Sequence, residues 1–106
     1  MVKLTALYKK PADAEAFDRH YMDVHIPIAA KMPGLKRFEV AKITGAPGGE
    51  SPYHLIAELY FEDFDALNAA MSSPEGKAAA KDVGTFAKDI VQMMFSKVEE
   101  KVRVAI

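Results

Sequence analysis

Apolar and polar residues alternate along four segments of the chain, the pattern of strands with one face turned toward a core. Pro11 ends the first segment, and a loop rich in Gly and Pro, residues 45–52, joins the second to the third as a hairpin. The third segment is apolar on both faces, so we expect it in the centre of a sheet that is covered on both sides. The four strands are predicted over residues 2–8, 35–43, 53–61 and 89–98.

The segments between the strands carry the start and stop signals of three helices. Each begins after an Asp or Ser that can cap a helix N-terminus, and a proline at the first position supports the third. We expect the first helix to bend near Pro27, because proline lacks the amide hydrogen, and the third to stop at Gly84. The helices are predicted over residues 14–31, 64–71 and 74–83, with Asp13, Asp63 or Asp65, and Ser73 as their N-caps.

The order of these elements, β-α-β-β-α-β, predicts a ferredoxin-like α+β fold in which an antiparallel sheet carries its helices on one face. The other face of the sheet then needs a cover, and a second subunit is the simplest one. Residues 102–106 alternate apolar and other side chains, which predicts a short extra strand or an arm that pairs with a partner subunit. We therefore expect one domain over residues 1–106, and we expect it to form a homodimer.

Composition narrows the class of protein. The chain has 106 residues, of which 50% are hydrophobic and 27% charged, as in globular proteins. Its formal net charge of -1 gives no electrostatic basis for binding nucleic acid or an anionic membrane. Cysteine is absent, which excludes disulfides and thiolate nucleophiles, and no apolar run has the length of a signal peptide or a membrane span. We expect a cytoplasmic protein that binds neither nucleic acid nor membrane.

The first predicted helix carries the best candidate for a functional site. Phe17, Tyr21 and His25 recur at four-residue steps and therefore lie along one face of a helix. Ile28 extends this face and keeps it apolar, so we expect the face to turn inward. An imidazole and a phenol would then lie in the interior beside the bend at Pro27, a combination that predicts a pocket.

Each of these side chains also has a purely structural interpretation. His25 can act as a general acid or base, since imidazole titrates near neutral pH, or it can bond the carbonyls that Pro27 leaves unpaired. Tyr21, one turn earlier, can share a hydrogen bond or a ligand oxygen with His25, or it can be a core tyrosine with its hydroxyl at the surface. Tyr8, on the first strand, can line the pocket or fill the core.

A metal site is not expected in this chain. His20 is five residues from His25, about 140° away around a regular helix, so the two cannot hold one metal ion. No other spacing of histidines and carboxylates completes a site. We therefore expect neither a metal nor a cofactor.

The third strand places polar groups in the centre of the sheet. Strict alternation puts His54, Glu58 and Tyr60 on one face of this strand. A carboxylate in such a position needs a partner or a raised pKa, and we expect Glu58 to pair with a Lys or Arg across the dimer.

A motif over the first helix, with matching segments further along, covers nearly the whole chain. Its residues are Phe17-x-x-His20-Tyr21-x-x-x-His25-x-Pro27-Ile28, Met32-Pro33-Gly34-Leu35, Tyr53-His54-x-x-Ala57-x-Leu59-x-Phe61, Ser73-Pro74-Glu75-Gly76 and Phe86. Together they resemble the EthD family, which is named for ethyl tert-butyl ether degradation. The resemblance implies a dimeric α+β barrel, in which two ferredoxin-like subunits place their sheets face to face and each keeps a pocket between sheet and helices.

The resemblance also implies a small-molecule catabolic protein. The chemistry would be of an isomerase, cyclase or monooxygenase type, without a cofactor, on a small apolar oxygenated substrate. The alternative is a non-catalytic carrier, or an accessory protein to an ether-degrading monooxygenase, and the sequence names neither substrate nor pathway. The residues expected at the site are His25 and Tyr21 as catalytic groups, and Phe17, Tyr8, Ile28, His54 and Tyr60 as substrate contacts.

Overall fold

Four antiparallel strands form one sheet in the computed structural model of the protein, which describes residues 1–99 and 101–105. The spatial order is β2-β3-β1-β4, so the two central strands are β3 and β1. This order is ferredoxin-like and confirms the fold predicted from the element order. The strands are β1 (Val2–Lys9), β2 (Arg37–Lys42), β3 (Tyr53–Phe61) and β4 (Val91–Lys97).

The helices pack on one face of this sheet. As predicted, three of them begin at a side-chain cap: Asp13, Asp63 and Ser73 each accept a hydrogen bond from the backbone N–H three residues on. Within the described part of the chain, no helix combines the length and apolarity needed to cross a membrane. The helical segments are α1 (Ala14–His20), a π turn (Tyr21–His25), α2 (Ile26–Ala29), α3 (Phe64–Ser72) and α4 (Pro74–Phe86).

The core lies between the helices and the inner face of β1 and β3. Alternate residues of both strands point into it, and the register pairs Ala6 with Ala57 at the centre of the sheet. Ala29 of α2 and Ala79 of α4 are also buried. Since alanine fills little volume, small side chains on the sheet and on the helices leave space between them.

The first helix is interrupted before Pro27 rather than bent at it. Tyr21–His25 forms a π turn, in which the N–H of Ile26 donates to the carbonyl of Tyr21 five residues back. Pro27 has no amide hydrogen to donate to the preceding turn, so the regular ladder cannot run through this point and a wider turn forms beside it. The π turn changes which side chains share a face of the helix.

A β-bulge changes the direction of His54. Tyr8 pairs with Leu55, but the next residue, Lys9, pairs with Tyr53, so His54 is an extra residue on β3. Its side chain bonds to Asp18 on α1 and therefore lies on the helix side of the sheet. The prediction that His54 shares one face of the strand with Glu58 and Tyr60 was wrong, because the bulge breaks the alternation.

The outer face of the sheet satisfies Glu58 within the protomer. Lys3, the diagonal neighbour of Glu58 on β1, forms an ion pair with it, so the prediction of a pair across a dimer was wrong. The hydrogen bond from Lys3 to Glu58 raises the pKa of the lysine. Tyr60 lies next to this pair, and the cationic groups of Lys3 and Arg37 lie 5.4 Å and 5.5 Å from the centre of its ring.

Two further boundaries differ from the predicted ones. Gly84 does not end α4, which continues to Phe86, because glycine inside a helix costs only about 1 kcal/mol relative to alanine and packing compensates for it. Residues 101–105 form no strand in the protomer. The end of the predicted strand, Ile106, lies outside the described residues, and the pairing of this segment with a partner stays a prediction.

Candidate functional site

A cavity of about 50 Å³ lies between the inner face of the sheet and the helices, at the level of the alanines. Its walls are mostly apolar, and Met71 and Met93 border it where they are partly exposed. Three polar side chains contribute to its lining: Tyr8 from β1, and Tyr21 and His25 from the two ends of the π turn. All three are almost completely buried.

His25 is held by a carboxylate from the opposite helix. Its Nδ1 lies 2.9 Å from Oδ2 of Asp82 on α4. A carboxylate only accepts hydrogen bonds, so the contact assigns the hydrogen to Nδ1 and leaves the lone pair of the neutral ring on Nε2. Nε2 makes no hydrogen bond to any described residue. The base position of this imidazole is therefore free, on a side chain that lines the cavity.

His20 shares the same carboxylate. Its Nε2 lies 2.9 Å from the other oxygen of Asp82, Oδ1. The two histidines were expected about 140° apart on a regular helix, but hydrogen bonds in a π turn span five residues and bring positions five apart toward one face. The irregular turn thus places His20 and His25 on one acceptor, with His20 toward the surface and His25 in the interior.

The surroundings of His25 favour its neutral form. Burial lowers the pKa of His25, and the neighbouring His20 adds to this, while the hydrogen bond and charge of Asp82 oppose it. The net pKa is below the ordinary value of 6.5. At neutral pH the ring is therefore unprotonated, which a general base requires.

Tyr8 and Tyr21 form a buried pair of phenols beside His25. Their ring centroids are 5.5 Å apart, and the rings of Tyr21 and His25 are 5.0 Å apart. Burial raises the pKa of Tyr8 to about 12. It also raises the pKa of Tyr21 far above its ordinary value, and the phenol of Tyr8 adds to that increase. Both hydroxyls therefore keep their protons at neutral pH.

The hydroxyl of Tyr21 is buried without a partner. Tyr8 is near enough to alter its ionisation, but no described residue meets it in hydrogen-bond geometry. An unsatisfied buried hydroxyl costs about 1–3 kcal/mol, so the position is unusual in a core that is otherwise well packed. The hydroxyl of Tyr21 does not reach the surface, so the interpretation of this residue as a core tyrosine with its hydroxyl at the surface was wrong.

Phe86 and Phe17 support these groups from the side. The ring of Phe86 lies 4.6 Å from that of His20 and 5.3 Å from that of His25, measured between centroids. Phe17 lies 5.4 Å from Tyr8. The two phenylalanines pack against the polar rings, which restricts the positions that those rings can take.

A second histidine–aspartate pair lies at the β-bulge. His54 Nε2 is 2.7 Å from Oδ1 of Asp18, and Lys42 Nζ is 2.9 Å from Oδ2 of the same carboxylate. Burial alone would raise the pKa of Asp18, but the hydrogen bonds from His54 and Lys42 outweigh it and lower that pKa below its ordinary range. This cluster joins α1 to β2 and β3 and does not line the cavity.

Comparison with known proteins decides the family. The model of the EthD domain matches residues 9–99 of the chain. The chain belongs to the EthD family. A solved structure of an EthD family protein from Bacillus halodurans is 44% identical, with a TM-score of 0.91, over 92% of this chain and 98% of that one.

Two other proteins are similar to this chain, one in sequence and one in fold. An uncharacterised 11.0 kDa protein of Rhodococcus erythropolis, from the thcB-thcC intergenic region, is 39% identical over 93% of this chain and 96% of its own length. SnoaB, a cofactor-independent oxygenase from Streptomyces nogalater, has a TM-score of 0.71 at 13% identity, over 95% of each chain. At that identity the likeness to SnoaB is one of fold.

The structure brings some of the predicted site residues of this EthD protein together and separates others. Tyr8, Tyr21 and His25 meet at the cavity. Phe17 packs behind them, and His54 bonds to Asp18. The remaining two do not reach the cavity: Ile28 packs against the edge of the core, and Tyr60 lies on the outer face of the sheet.

Asp82 is the residue that sequence reasoning missed. It lies 57 positions from His25 along the chain, on a helix that reads as rich in alanine. The sequence does contain a signal for it. Asp82 follows Ala79 by three positions and precedes Phe86 by four, which places a carboxylate on the inward face of α4. Within the described residues, no group of three or more acidic or histidine side chains could hold a metal ion.

Proposed function

We propose that this EthD protein is a cofactor-free acid–base catalyst for a small apolar molecule that carries an oxygen function, and that the cavity is its active site. The observation that carries the proposal is the hydrogen bond from His25 Nδ1 to Asp82. It fixes the imidazole with its free nitrogen available at the cavity, beside two buried phenols. The membership of the EthD family supports a role in small-molecule catabolism.

In this mechanism His25 moves a proton. Nε2 accepts it from the bound molecule, and the resulting imidazolium is stabilised by the carboxylate of Asp82 on the other side of the ring. The lowered pKa of His25 keeps the base unprotonated before the reaction. Asp82 acts as a positioning residue, since it touches His25 and not the substrate.

The walls of the cavity suit reactions that only rearrange bonds. Isomerisation and cyclisation need a proton taken from one atom and returned to another, in a site that excludes water. The alanines and methionines that line the cavity with His25 offer no groups that would react. Met71 and Met93 have flexible side chains, so they can move to admit a molecule longer than the cavity itself.

The protein is proposed to act as a homodimer. Strand β4 lies at an edge of the sheet and exposes Met93, Met94 and Phe95 by 45%, 43% and 57%. Large apolar side chains grouped in this way are typical of surfaces that a partner covers. Sedimentation at micromolar concentration should give twice the mass of the chain, and a monomer at that concentration would contradict this part of the proposal.

The test of the catalytic proposal is turnover without any added cofactor. Wild type, His25→Gln and His54→Gln are incubated with a mixed panel of lactones, enols, polyketide-like phenols and tert-butyl compounds, and products are followed by mass spectrometry. We expect His25→Gln to lower turnover by about 10²–10⁴-fold and His54→Gln to leave it within a few-fold of wild type. Equal turnover in wild type and His25→Gln contradicts the proposal. A panel on which wild type forms no product favours a carrier or accessory role.

A further inference from the structure

Within the described part of the chain, the hydroxyl of Tyr21 is a buried polar atom that the fold leaves unpaired. The side chain of Tyr21 lines the cavity, and its hydroxyl is fully buried without a hydrogen-bond partner among the described residues. Folded proteins satisfy nearly all such groups, and an exception points to a partner that arrives from outside the chain. The hydroxyl of Tyr8 lies beside it, so an acceptor placed here meets two donors.

The rest of the lining limits what this acceptor can belong to. Apart from the two phenols and His25, the side chains around the cavity are alanine, valine, leucine and methionine. A volume of about 50 Å³ has room for about three or four non-hydrogen atoms at the spacing that water needs. This space therefore fits a single oxygen function on a short hydrocarbon.

We propose that Tyr21 and Tyr8 are a pair of oxyanion-stabilising donors, and that the substrate class is an enolisable ketone whose carbonyl oxygen faces the two phenols while its α-carbon faces Nε2 of His25. The inference rests on the proposed function, because it gives His25 the proton that it removes. The ring contacts of Tyr8, Tyr21 and His25 place the donors and the base around one small space.

The reaction step balances without an oxidant or a reductant. Nε2 of His25 takes a proton from the α-carbon, and the electron pair of that C–H bond becomes the C=C bond of an enolate. The carbonyl π electrons move to the oxygen, which then accepts hydrogen bonds from the phenols of Tyr21 and Tyr8. The imidazolium returns the proton to a carbon of the same molecule, which regenerates the ketone or gives an isomer.

The high pKa values of the phenols suit this role. A donor to an enolate must share its proton without losing it, and both hydroxyls remain protonated at neutral pH. The pKa of His25, by contrast, lies below its ordinary value. The phenols are therefore suited to donate hydrogen bonds and His25 to accept a proton in the same small site.

Acetone is the probe that fits this cavity, and two measurements on it separate the donors from the base. The first is the exchange of its α-protons for deuterium, followed by NMR in heavy water. The second is the infrared stretching frequency of carbonyl-labelled acetone in concentrated protein, which falls when the oxygen accepts strong hydrogen bonds. Wild type is compared with Tyr21→Phe, Tyr8→Phe and His25→Gln, and Tyr60→Phe is the matched control on the outer face of the sheet.

We expect wild type to accelerate exchange and Tyr21→Phe to lower that acceleration by about 10²–10³-fold, with Tyr60→Phe unchanged. The infrared shift should disappear in Tyr21→Phe and persist in His25→Gln. Exchange that depends on His25 but not on Tyr21 overturns the inference and leaves the proposed function standing. An infrared shift that depends on Tyr21, without any exchange, supports the donors and overturns the base. A protein that produces neither signal overturns both.

Discussion

Two histidine–aspartate pairs in this molecule share one chemistry and differ in their surroundings. His25 and Asp82 meet in the interior at the cavity, and the free nitrogen of the imidazole has no partner within the described residues. His54 and Asp18 meet at the start of β3, beside the edge strand β2, and we call them the edge pair; a third group, Lys42 of β2, bonds to the same carboxylate.

The two pairs differ in burial and in position, since His25 is the more deeply buried histidine and lines the cavity, which His54 does not. At the edge, the carboxylate of Asp18 is shared with a lysine, and the cluster ties α1 to β2 and β3. In the interior, Asp82 is shared with a second imidazole, and burial keeps His25 neutral. In the proposed function, the chemistry therefore belongs to the interior pair, and the edge pair has a structural role.

The strongest test of this assignment is the same substitution in both pairs. Asp82→Asn replaces an acceptor with an amide that can donate to Nδ1, which favours the wrong tautomer of His25. We expect it to lower the rate of acetone exchange by about 10²–10⁴-fold, while Asp18→Asn stays within a few-fold of wild type. Equal losses in the two variants would show that the pairs are not distinct in function.

The packing of α4 offers a second test, since this helix carries Asp82. A Cβ on Gly76 would lie 2.0 Å from the carbonyl oxygen of Ala70, whereas a Cβ on Gly84 meets nothing within 4 Å. We expect Gly76→Ala to lower the free energy of unfolding in urea by about 1–3 kcal/mol or more. Gly84→Ala, the control in the same helix, should raise it by up to about 1 kcal/mol.

Gly76→Ala should also affect the two histidine–aspartate pairs differently. If α4 moves to admit the new methyl group at position 76, Asp82 moves with it, and the His25 ring resonances in NMR should change while those of His54 do not. A Gly76→Ala variant as stable as wild type would mean that α3 and α4 are less tightly joined than the structure indicates.

The pairs should affect stability in different ranges of pH. The pKa of His25 is lowered in the folded chain, so its contribution is complete above the ordinary value of 6.5 and is lost as the pH falls through the lowered pKa. Asp18 also has a lowered pKa, so its contribution is present above 3.8 and is lost only as the pH falls below that value. The groups facing His25 in the first range are His20, Asp82 and the two phenols.

Urea unfolding at about pH 7.5, 5 and 3 measures the two ranges, since each unit of pKa depression corresponds to about 1.4 kcal/mol. His25→Gln should remove part of the loss between the first two values, and Asp18→Asn part of the loss between the last two. A wild-type curve that His25→Gln leaves unchanged above pH 5 would contradict the neutral, buried state of this histidine.

The smallest expected effect is at the exposed end of the edge cluster. The side chain of Lys42 is 59% exposed, and pairs of that kind contribute about 0–1 kcal/mol. Lys42→Gln should therefore lower the free energy of unfolding by less than about 1 kcal/mol, and added salt should reduce the difference. A loss well above that value would mean that the edge cluster depends on the lysine more than on His54.

Local patterns in the sequence were sufficient for the regular parts of this fold. Strand β3 begins and ends where its apolar run does, and Asp13, Asp63 and Ser73 cap the helices they precede. These features depend on neighbouring residues along the chain, so local sequence patterns predict them. Local spacing also drew attention to His25 and Tyr21, because their four-residue steps from Phe17 are those of one helix face.

The parts that could not be predicted are single-residue irregularities and distant contacts. The π turn and the bulge at His54 each add one residue to a regular element, and tertiary packing decides where that residue goes. The partner of His25 comes from α4. The order of elements predicts that α4 lies near the first helix, but it does not predict which face of α4 turns toward His25. His25 could therefore be found from the sequence, while Asp82, which bonds to it, could not.

The π turn also bears on how this helix tolerates changes of length during evolution. Met22 and Asp23 within it are exposed, and losing one of them would reduce the spacing of the two histidines from five residues to four. Four is the spacing that an ordinary α-helix places on one face, so both imidazoles could still meet Asp82 after the loss. A one-codon deletion, which in most helices rotates everything beyond it, is here absorbed by a change from a π turn to an α turn.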